Sequence, residues 1–365
     1  MSGAIGAASF AGYGVMGSLV ADSETVSQRL DLLTTQAATG LIGQTYAGLG
    51  TGAAISLDLR PQLADLQTWQ NNINATTGAM GVTQTAMTQL QAIAANFHAQ
   101  MDNLNGLNPS EVDSIAASAR QALVQVAGLL DTTDGNTYVF GGADSANPPV
   151  PDPDAMLTSG FYTQINTAVG GLGGAGAAAT AAATLAVASS DAAGTSPFSA
   201  YMSQPAAALQ AQIPAVQTGA EQTQPVGLLA SANTYVASTG SSTTGSYARD
   251  LMRALATIGS LSSAQVSDAG FQGLVADTYT SLGGVVTAMA EDAGVLGNQQ
   301  TALTATGTQL ADQATALTAQ VSPVENVDMA QTLSDLTLVQ TQLQSSYQLI
   351  SGASGLSLVK FLPVG

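Results

Sequence analysis

The chain has 365 residues, 45% of them hydrophobic but only 5% aromatic and 8% charged, a composition that favours slim packed helices over one bulky globular core. Its 24 acidic residues outnumber 6 scattered basic residues and give a net charge of −18, which excludes binding to nucleic acid or to an anionic membrane surface. The absence of cysteine excludes disulfides, thiolate nucleophiles and thiolate metal sites.

Residues 1–60 are predicted to form an N-terminal assembly helix followed by a linker. Apolar side chains recur there at helical spacing, and residues 32–57 contain no charged side chain. The apolar stretch from Ala4 to Val20 has no lysine or arginine before it, so we expect that it is not a cleaved secretory signal. The predicted contact stripe comprises Leu19, Ser23, Val26, Leu30, Leu33 and Ala37.

Residues 61–150 are predicted to form a helical rod that ends in a turn resembling a β-hairpin. The first helix of the rod is predicted to begin after Pro61 and keeps heptad spacing to Leu104, and a second helix is predicted from Pro109. Because the connection is short, these two helices are predicted to pack antiparallel. Residues 133–140 read Thr-Asp-Gly-Asn, which is typical of a tight turn, followed by Thr-Tyr-Val-Phe, which has strand composition.

Residues 151–248 are predicted to form a variable insert domain. The segment is rich in glycine, alanine, serine and threonine, and its short hydrophobic clusters at residues 225–229 and 234–236 predict short strands. The uncharged run 168–188 has too few large aliphatic or aromatic residues for a transmembrane helix, and a flexible linker is predicted there. We therefore expect no membrane insertion.

Residues 249–322 are predicted to form a returning helical rod, and residues 323–365 a C-terminal assembly helix that begins after Pro323. No charged side chain occurs from Leu336 to Val359, where glutamine, threonine and serine fill the positions beside an apolar seam. Alternating spacings of four and three residues predict that this helix packs against another helix. The predicted seam comprises Met329, Leu333, Leu336, Gln340, Leu343, Tyr347, Ile350 and Ser354.

The predicted fold is therefore mainly α: an elongated helical hairpin or coiled-coil bundle formed by both chain ends, with a small β-containing insert domain in the middle. The two ends are predicted to stay largely unpaired in the free subunit and to pair when neighbouring copies complete the buried surface. The predicted assembly interface comprises Leu19, Val26, Leu30, Leu33, Leu333, Leu336, Leu343, Tyr347 and Ile350.

Candidate catalytic and metal-binding residues are few. His98 is the single histidine, and without a second histidine or a cysteine it is expected to be a solvated or packed helical residue. Glu291 and Asp292 are adjacent, so on a helix they diverge by about 100° and are expected on a solvated face. Asp152 and Asp154 flank a proline, which predicts a polar loop rather than a calcium site. The sequence predicts no enzyme, no cofactor and no bound metal.

Several segments of the chain resemble one protein family. The matching segments are residues 27–30, 39–40, 66–73, 129–142, 326–330 and 356–362. The most specific of them reads Leu-Leu-Asp-Thr-Thr-Asp-Gly-Asn-Thr-Tyr-Val-Phe-Gly-Gly. They resemble the bacterial flagellin superfamily and, within it, the hook-associated proteins of the hook–filament junction. The resemblance covers residues 15–150 and 320–362, and it departs from the family at residues 41–50, where a basic residue and an acidic pair are often found.

The resemblance implies a structural subunit that joins hook to filament, leaves the cell by type III export without a cleaved signal peptide, and is part of the extracellular flagellum. The implied partners are further copies of the chain, the neighbouring hook-side and filament subunits, and an export chaperone that binds the C-terminal helix. Filament flagellin is an alternative, because both kinds of subunit share the terminal helices. A more remote alternative is a secreted binding module displayed on a helical stalk, since the insert has no assigned role.

Overall fold

A computed structural model describes the backbone of residues 6–104 and 109–355. The mainly α fold is confirmed: long helices lie towards both chain ends, and the strands of the described residues form two short antiparallel pairs. The helices are α1 (Gly6–Thr39), α2 (Ala53–Asn103), α3 (Pro109–Leu130), α4 (Gly160–Gly170), α5 (Leu172–Ala175), α6 (Ala177–Ala188), α7 (Ala206–Gln210), α8 (Tyr247–Gly259), α9 (Phe271–Glu325) and α10 (Met329–Gly355). The strands are β1 (Thr133–Asp134), β2 (Thr137–Tyr138), β3 (Ala215–Gln217) and β4 (Thr223–Pro225), and 3₁₀ helices span Tyr46–Gly52, Met156–Thr158 and Ser263–Gln265.

The chain divides into two compact units. The terminal unit consists of Met1–Gln67 together with Asp312–Gly365, and the body unit consists of Thr68–Ala311. The division falls within α2 and α9, so that each long helix contributes to both units. The five segments drawn from the sequence remain a prediction.

In the terminal unit, α1 and α10 lie against each other in antiparallel orientation. Backbone hydrogen bonds link the residues that follow α1 to those that precede α10. The N–H of Ile42 donates to the carbonyl of Glu325 (2.7 Å), and the N–H of Val327 donates to the carbonyl of Gly40 (2.9 Å). A carboxylate then starts α10: Asp328 accepts hydrogen bonds from the N–H groups of Ala330 and Gln331, as an N-cap residue does.

The two prolines that were predicted to precede helices both occupy helical positions. Pro61 falls within α2, which begins at Ala53, and Pro323 falls within α9, which ends at Glu325. A proline removes one backbone hydrogen bond, but both rings lie on exposed faces, where water can bind the carbonyl that is left free. The prediction that the rod helix begins after Pro61 was therefore wrong. The C-terminal helix does begin after Pro323, at Met329, although α9 continues through that proline.

The body unit is organised by α2 and α9, which pack antiparallel along their shared length. The side-chain amide of Gln91 donates to the carbonyl of Met289 (2.9 Å), and that of Gln300 donates to the carbonyl of Thr77 (3.2 Å). The interface between α2 and α9 is filled by buried aliphatic side chains and methionines, as heptad spacing predicts. These buried residues include Ile73, Met80, Met87, Leu90, Leu282, Met289, Leu296 and Leu303.

The predicted tight turn is confirmed as the β1–β2 hairpin. Thr133 pairs with Tyr138, and Asp134 pairs with Thr137. Gly135 occupies the turn with φ of 60°, a left-handed conformation that glycine adopts at least cost.

The insert is more helical than predicted. The run 168–188, expected to be a flexible linker, contains the end of α4, all of α5 and all of α6. Alanine has the highest helix propensity, and α6 is built largely of alanine. The predicted strands at residues 225–229 and 234–236 do not form, apart from the end of β4 and an isolated bridge from Leu229 to Gly141.

Candidate assembly interface

Large hydrophobic side chains are exposed on the terminal unit. Among the side chains that the structure describes, every exposed large hydrophobic residue belongs to that unit, and the body unit has none. A surface of this kind is typical of a protein–protein contact, because single domains rarely leave large apolar groups clustered in water. The exposed residues are Val20, Leu32, Tyr46, Ile55, Leu57, Met329, Leu333, Leu338, Tyr347 and Leu349.

On α1, the stripe predicted from the sequence faces α10. Leu33 and Ser23 are buried, while Leu19, Val26 and Leu30 are half-buried. The two terminal helices thus pair within one chain, and the expectation that they lack a partner in the free subunit was wrong. The pairing leaves Leu19, Val26 and Leu30 partly accessible to solvent.

On α10, the predicted seam is divided between two faces. Leu336, Leu343 and Ile350 are half-buried on the face that meets α1, together with the buried residues Thr332 and Val339. The other members of the predicted interface point away from this face. Leu333 is 50% exposed and Tyr347 is 56% exposed.

The exposed apolar residues of α10 lie on both sides of its contact with α1. At about 100° per residue, one stripe falls roughly 70° to one side of the contact face and the other roughly 110° to the opposite side. We call the first stripe, Met329, Leu333 and Tyr347, the first flank. We call the second stripe, Leu338 and Leu349, the second flank. A helix with apolar flanks on both sides of its own partner can pack against two further helices.

A groove between the two terminal helices shows that their packing is incomplete. It has a volume of about 320 Å³ and lies where small serine side chains of α1 face larger groups of α10. Its lining consists of Val20, Ser23, Glu24, Ser27, Tyr347 and Ile350. Side chains of a neighbouring helix have room to enter at the Tyr347 edge.

A buried carboxylate of α9 binds side chains of α2 within the terminal unit. Glu325 accepts two hydrogen bonds from the Arg60 guanidinium, from Nε at 2.7 Å and from a terminal nitrogen at 2.6 Å, and a third from the hydroxyl of Ser56. The hydrogen bonds from Arg60 hold the pKa of Glu325 below its usual value and raise the pKa of Arg60. Beside them, Gly52 approaches Val324 so closely that a Cβ would lie 2.9 Å from the valine Cβ.

The sequence did not reveal this contact. Residues 41–50 lack the charged residues that the family often has there, and an ion pair between Arg60 and Glu325 occurs a short distance away. The usable signal was weak. Arg60 is the second charged residue after a long uncharged stretch, and Glu325 lies shortly before the uncharged run that begins at Leu336.

Two buried arginines of the body unit have structural roles. Arg249 pairs with Asp191 at 2.5 Å and lies over the ring of Phe198, and Arg253 lies 3.5 Å from Asp277. Both arginines are buried in α8, so they form no basic patch on the surface. Buried charges are retained in folded proteins when they are paired and hydrogen-bonded, as they are here.

Asp292 was expected on a solvated face, and that expectation was wrong. Its carboxylate is fully buried and accepts hydrogen bonds from the N–H groups of Thr234 (3.3 Å) and Tyr235 (3.0 Å) and from the hydroxyl of Tyr247 (3.0 Å). Burial raises the pKa of Asp292 and also that of Tyr247. The hydrogen bonds of the Asp292 carboxylate hold a loop of the insert against α9.

Other candidate chemistry is similarly plain. His98 stacks on Tyr279 with 4.1 Å between ring centroids. Within the described residues, no three histidine, cysteine, aspartate or glutamate side chains gather as a metal site would require. No helix in residues 6–104 or 109–355 combines the length and the apolar character needed to cross a membrane.

Comparison with known families gives one match. Residues 280–362 match the family model described as the bacterial flagellin C-terminal helical region, and this range includes most of α9 and all of α10. The match supports the bacterial flagellin family, whose members are structural subunits of the flagellum. A search of curated proteins found no match.

Proposed function

We propose that this chain is a non-enzymatic structural subunit of the bacterial flagellum, a hook-associated protein that joins hook to filament through its terminal helices. The observation that carries the proposal is that, among the side chains the structure describes, every exposed large hydrophobic one belongs to the terminal unit. Both flanks of α10 lie within residues 280–362, the range that matches the flagellin C-terminal family model.

The energetics favour association through several modest contacts. Burying the exposed part of one leucine or tyrosine contributes about 1–2 kcal/mol. Association has to offset roughly 4–15 kcal/mol of lost freedom, so one flank is insufficient and both flanks together with α1 are needed. The subunit therefore requires more than one neighbour at a time, as a position in a tubular wall provides.

The junction role rests on sequence resemblance in two places. One is the Tyr-Val-Phe-Gly-Gly segment at residues 138–142, which begins at the end of β2, and the other is Asp328–Ala330 at the start of α10. The partners that follow are hook-side subunits, filament subunits and further copies of the chain. An export chaperone that covers α10 before assembly, and type III export without a cleaved signal, complete the proposal.

Filament flagellin is the second candidate, because the matched family model is that of flagellin itself. The two roles differ in location and copy number. We expect immunogold labelling of isolated flagella to mark only the hook–filament junction, and deletion of the gene to leave hooks without filaments. Labelling along the whole filament would favour filament flagellin. Absence of the protein from purified flagella would overturn both candidates.

A further inference from the structure

The methionines differ sharply in their exposure to solvent. Met329 is 40% exposed, whereas the other methionines whose side chains the structure describes are at most 2% exposed. The buried residues are Met80, Met87, Met101, Met156, Met202, Met252 and Met289. Thioether oxidation follows access of the oxidant to sulfur, so a selective site is built into the folded chain.

Met329 occupies a defined position on the proposed interface. It is the first residue of α10, held there by the carboxylate of Asp328, which accepts hydrogen bonds from the next two backbone N–H groups. Leu333 follows one helical turn later on the same first flank. An added polar atom on Met329 would therefore lie among apolar groups that a neighbour has to cover.

We propose that Met329 is a reversible oxidation site that controls whether a free subunit can assemble; this inference rests on the proposed function. A peroxide is the oxidant. The thioether sulfur attacks one peroxide oxygen, the O–O bond breaks, and methionine sulfoxide and water are formed. Sulfur loses two electrons and the peroxide gains them, so no further reactant is needed.

The sulfoxide changes the interface because its oxygen is a strong hydrogen-bond acceptor. Covering that oxygen with apolar side chains removes its water without replacing the hydrogen bonds, and we expect incorporation to fall about tenfold or more. In an assembled subunit the neighbour covers Met329, so oxidation is slow. Methionine sulfoxide reductase, with a thiol as the electron donor, restores the thioether.

The first measurement uses the purified full-length protein and graded hydrogen peroxide. Peptide mapping by mass spectrometry is expected to show sulfoxide at Met329 at least about tenfold faster than at the buried methionines, which are reached only through local opening. Equal rates at Met329 and Met289 would overturn the proposal, whatever the chain's role in the flagellum.

The second measurement scores pelleting of peroxide-treated protein with hooks isolated from a deletion strain. Wild type, Met329→Leu and the buried control Met289→Leu are each compared with their own untreated sample. Treated wild type and Met289→Leu should lose about tenfold, treated Met329→Leu should lose little, and reductase treatment should restore wild type. Equal losses in wild type and Met329→Leu would overturn the switch, because oxidation elsewhere would then be responsible.

A polar stand-in separates the switch from the proposed function. Met329→Gln carries an amide where the sulfoxide would be, and it should pellet poorly without any oxidant. Normal pelleting of Met329→Gln would count against the switch alone. Failure of untreated wild type to pellet would instead count against the proposed function, while the peptide map still decides whether Met329 is the selective site.

Discussion

Replacing Leu338 by aspartate is expected to prevent incorporation into the flagellum while leaving the free subunit folded. Leu338 is 57% exposed and lies on the second flank of α10. The next residue, Val339, is 3% exposed and faces α1. The pair Leu338→Asp and Val339→Asp thus places the same charge on the same helix, once outside and once inside the subunit.

The expected magnitudes differ between the free and the assembled states. In the free subunit, Leu338→Asp changes an exposed position and should alter stability by no more than about 0.5 kcal/mol. In the assembly it forfeits about 1 kcal/mol of leucine burial and adds at least about 2 kcal/mol for an unpaired carboxylate removed from water. Together these correspond to roughly a 100-fold shift from the flagellum towards free protein. Val339→Asp buries its charge in the free subunit and should open the α1–α10 pair.

The assay complements a deletion strain with each variant and measures the protein in isolated flagella and in the culture medium by quantitative mass spectrometry. Limited proteolysis and circular dichroism of the secreted protein report whether the terminal helices are paired. We expect Leu338→Asp to be resistant to protease but confined to the medium, and Val339→Asp to be cleaved in its terminal helices. Incorporation of Leu338→Asp within about threefold of wild type would refute the second flank as an interface.

Three further changes have defined outcomes. Gln342→Glu adds a charge beside the second flank, and every copy in the assembly repeats that charge. The substitution should therefore reduce incorporation more at low salt than at high salt. If the Gln342→Glu protein is incorporated as well as wild type at low ionic strength, the surface is not crowded. Burial raises the pKa of Asp131 to about 6, so the stability linked to this group is fully present below its unfolded pKa and is lost as pH rises through about 6. Asp131→Asn keeps an acceptor for the N–H of Val150. Discounted for the half-exposed position of the group, the substitution should raise the unfolding free energy by about 1–2 kcal/mol near pH 8 and leave it unchanged near pH 3 in denaturant titrations. Arg60 lowers the pKa of Glu325, so the Glu325 carboxylate stabilises the fold at neutral pH, and this contribution is lost as pH falls through its folded pKa. In thermal melts, Glu325→Gln should lower the free energy of unfolding by about 1 kcal/mol near pH 7 and leave it unchanged at strongly acidic pH.

The sequence specifies the contact face of α10 only in part. Leu336, Leu343 and Ile350 belong both to the predicted seam and to the face that meets α1. Leu333 and Tyr347 fit the same heptad spacing but lie on the first flank. Apolar residues occupy more than one stripe of this helix, and spacing alone does not say which stripe the chain itself covers. That choice is made by the packing of α1.

The errors in the middle of the chain have a different cause. Asp292 is buried because its hydrogen-bond partners come from Thr234, Tyr235 and Tyr247, which are 58, 57 and 45 residues away in sequence. No local pattern encodes such a contact, so a solvated face was the natural expectation for adjacent acidic residues. The alanine-rich run 168–188 was misjudged because its composition suits both linkers and helices, and only packing on α8 decides between them.

The polar residues of α10 suit a surface that is to lose its water. The hydroxyls of Thr337, Thr341 and Ser345 each donate to the backbone carbonyl four residues earlier, at 2.9 Å, and so form a continuous line along the exposed back of the helix. Each donor is already satisfied within the helix, so a neighbour can cover it without leaving an unpaired proton. A lysine or glutamate at the same place would have to lose its hydration or find a partner in every copy. Threonine and serine therefore keep the free subunit wettable while lowering the cost of burial, which explains how the uncharged part of α10, from Leu336 onward, can serve both the free and the assembled states.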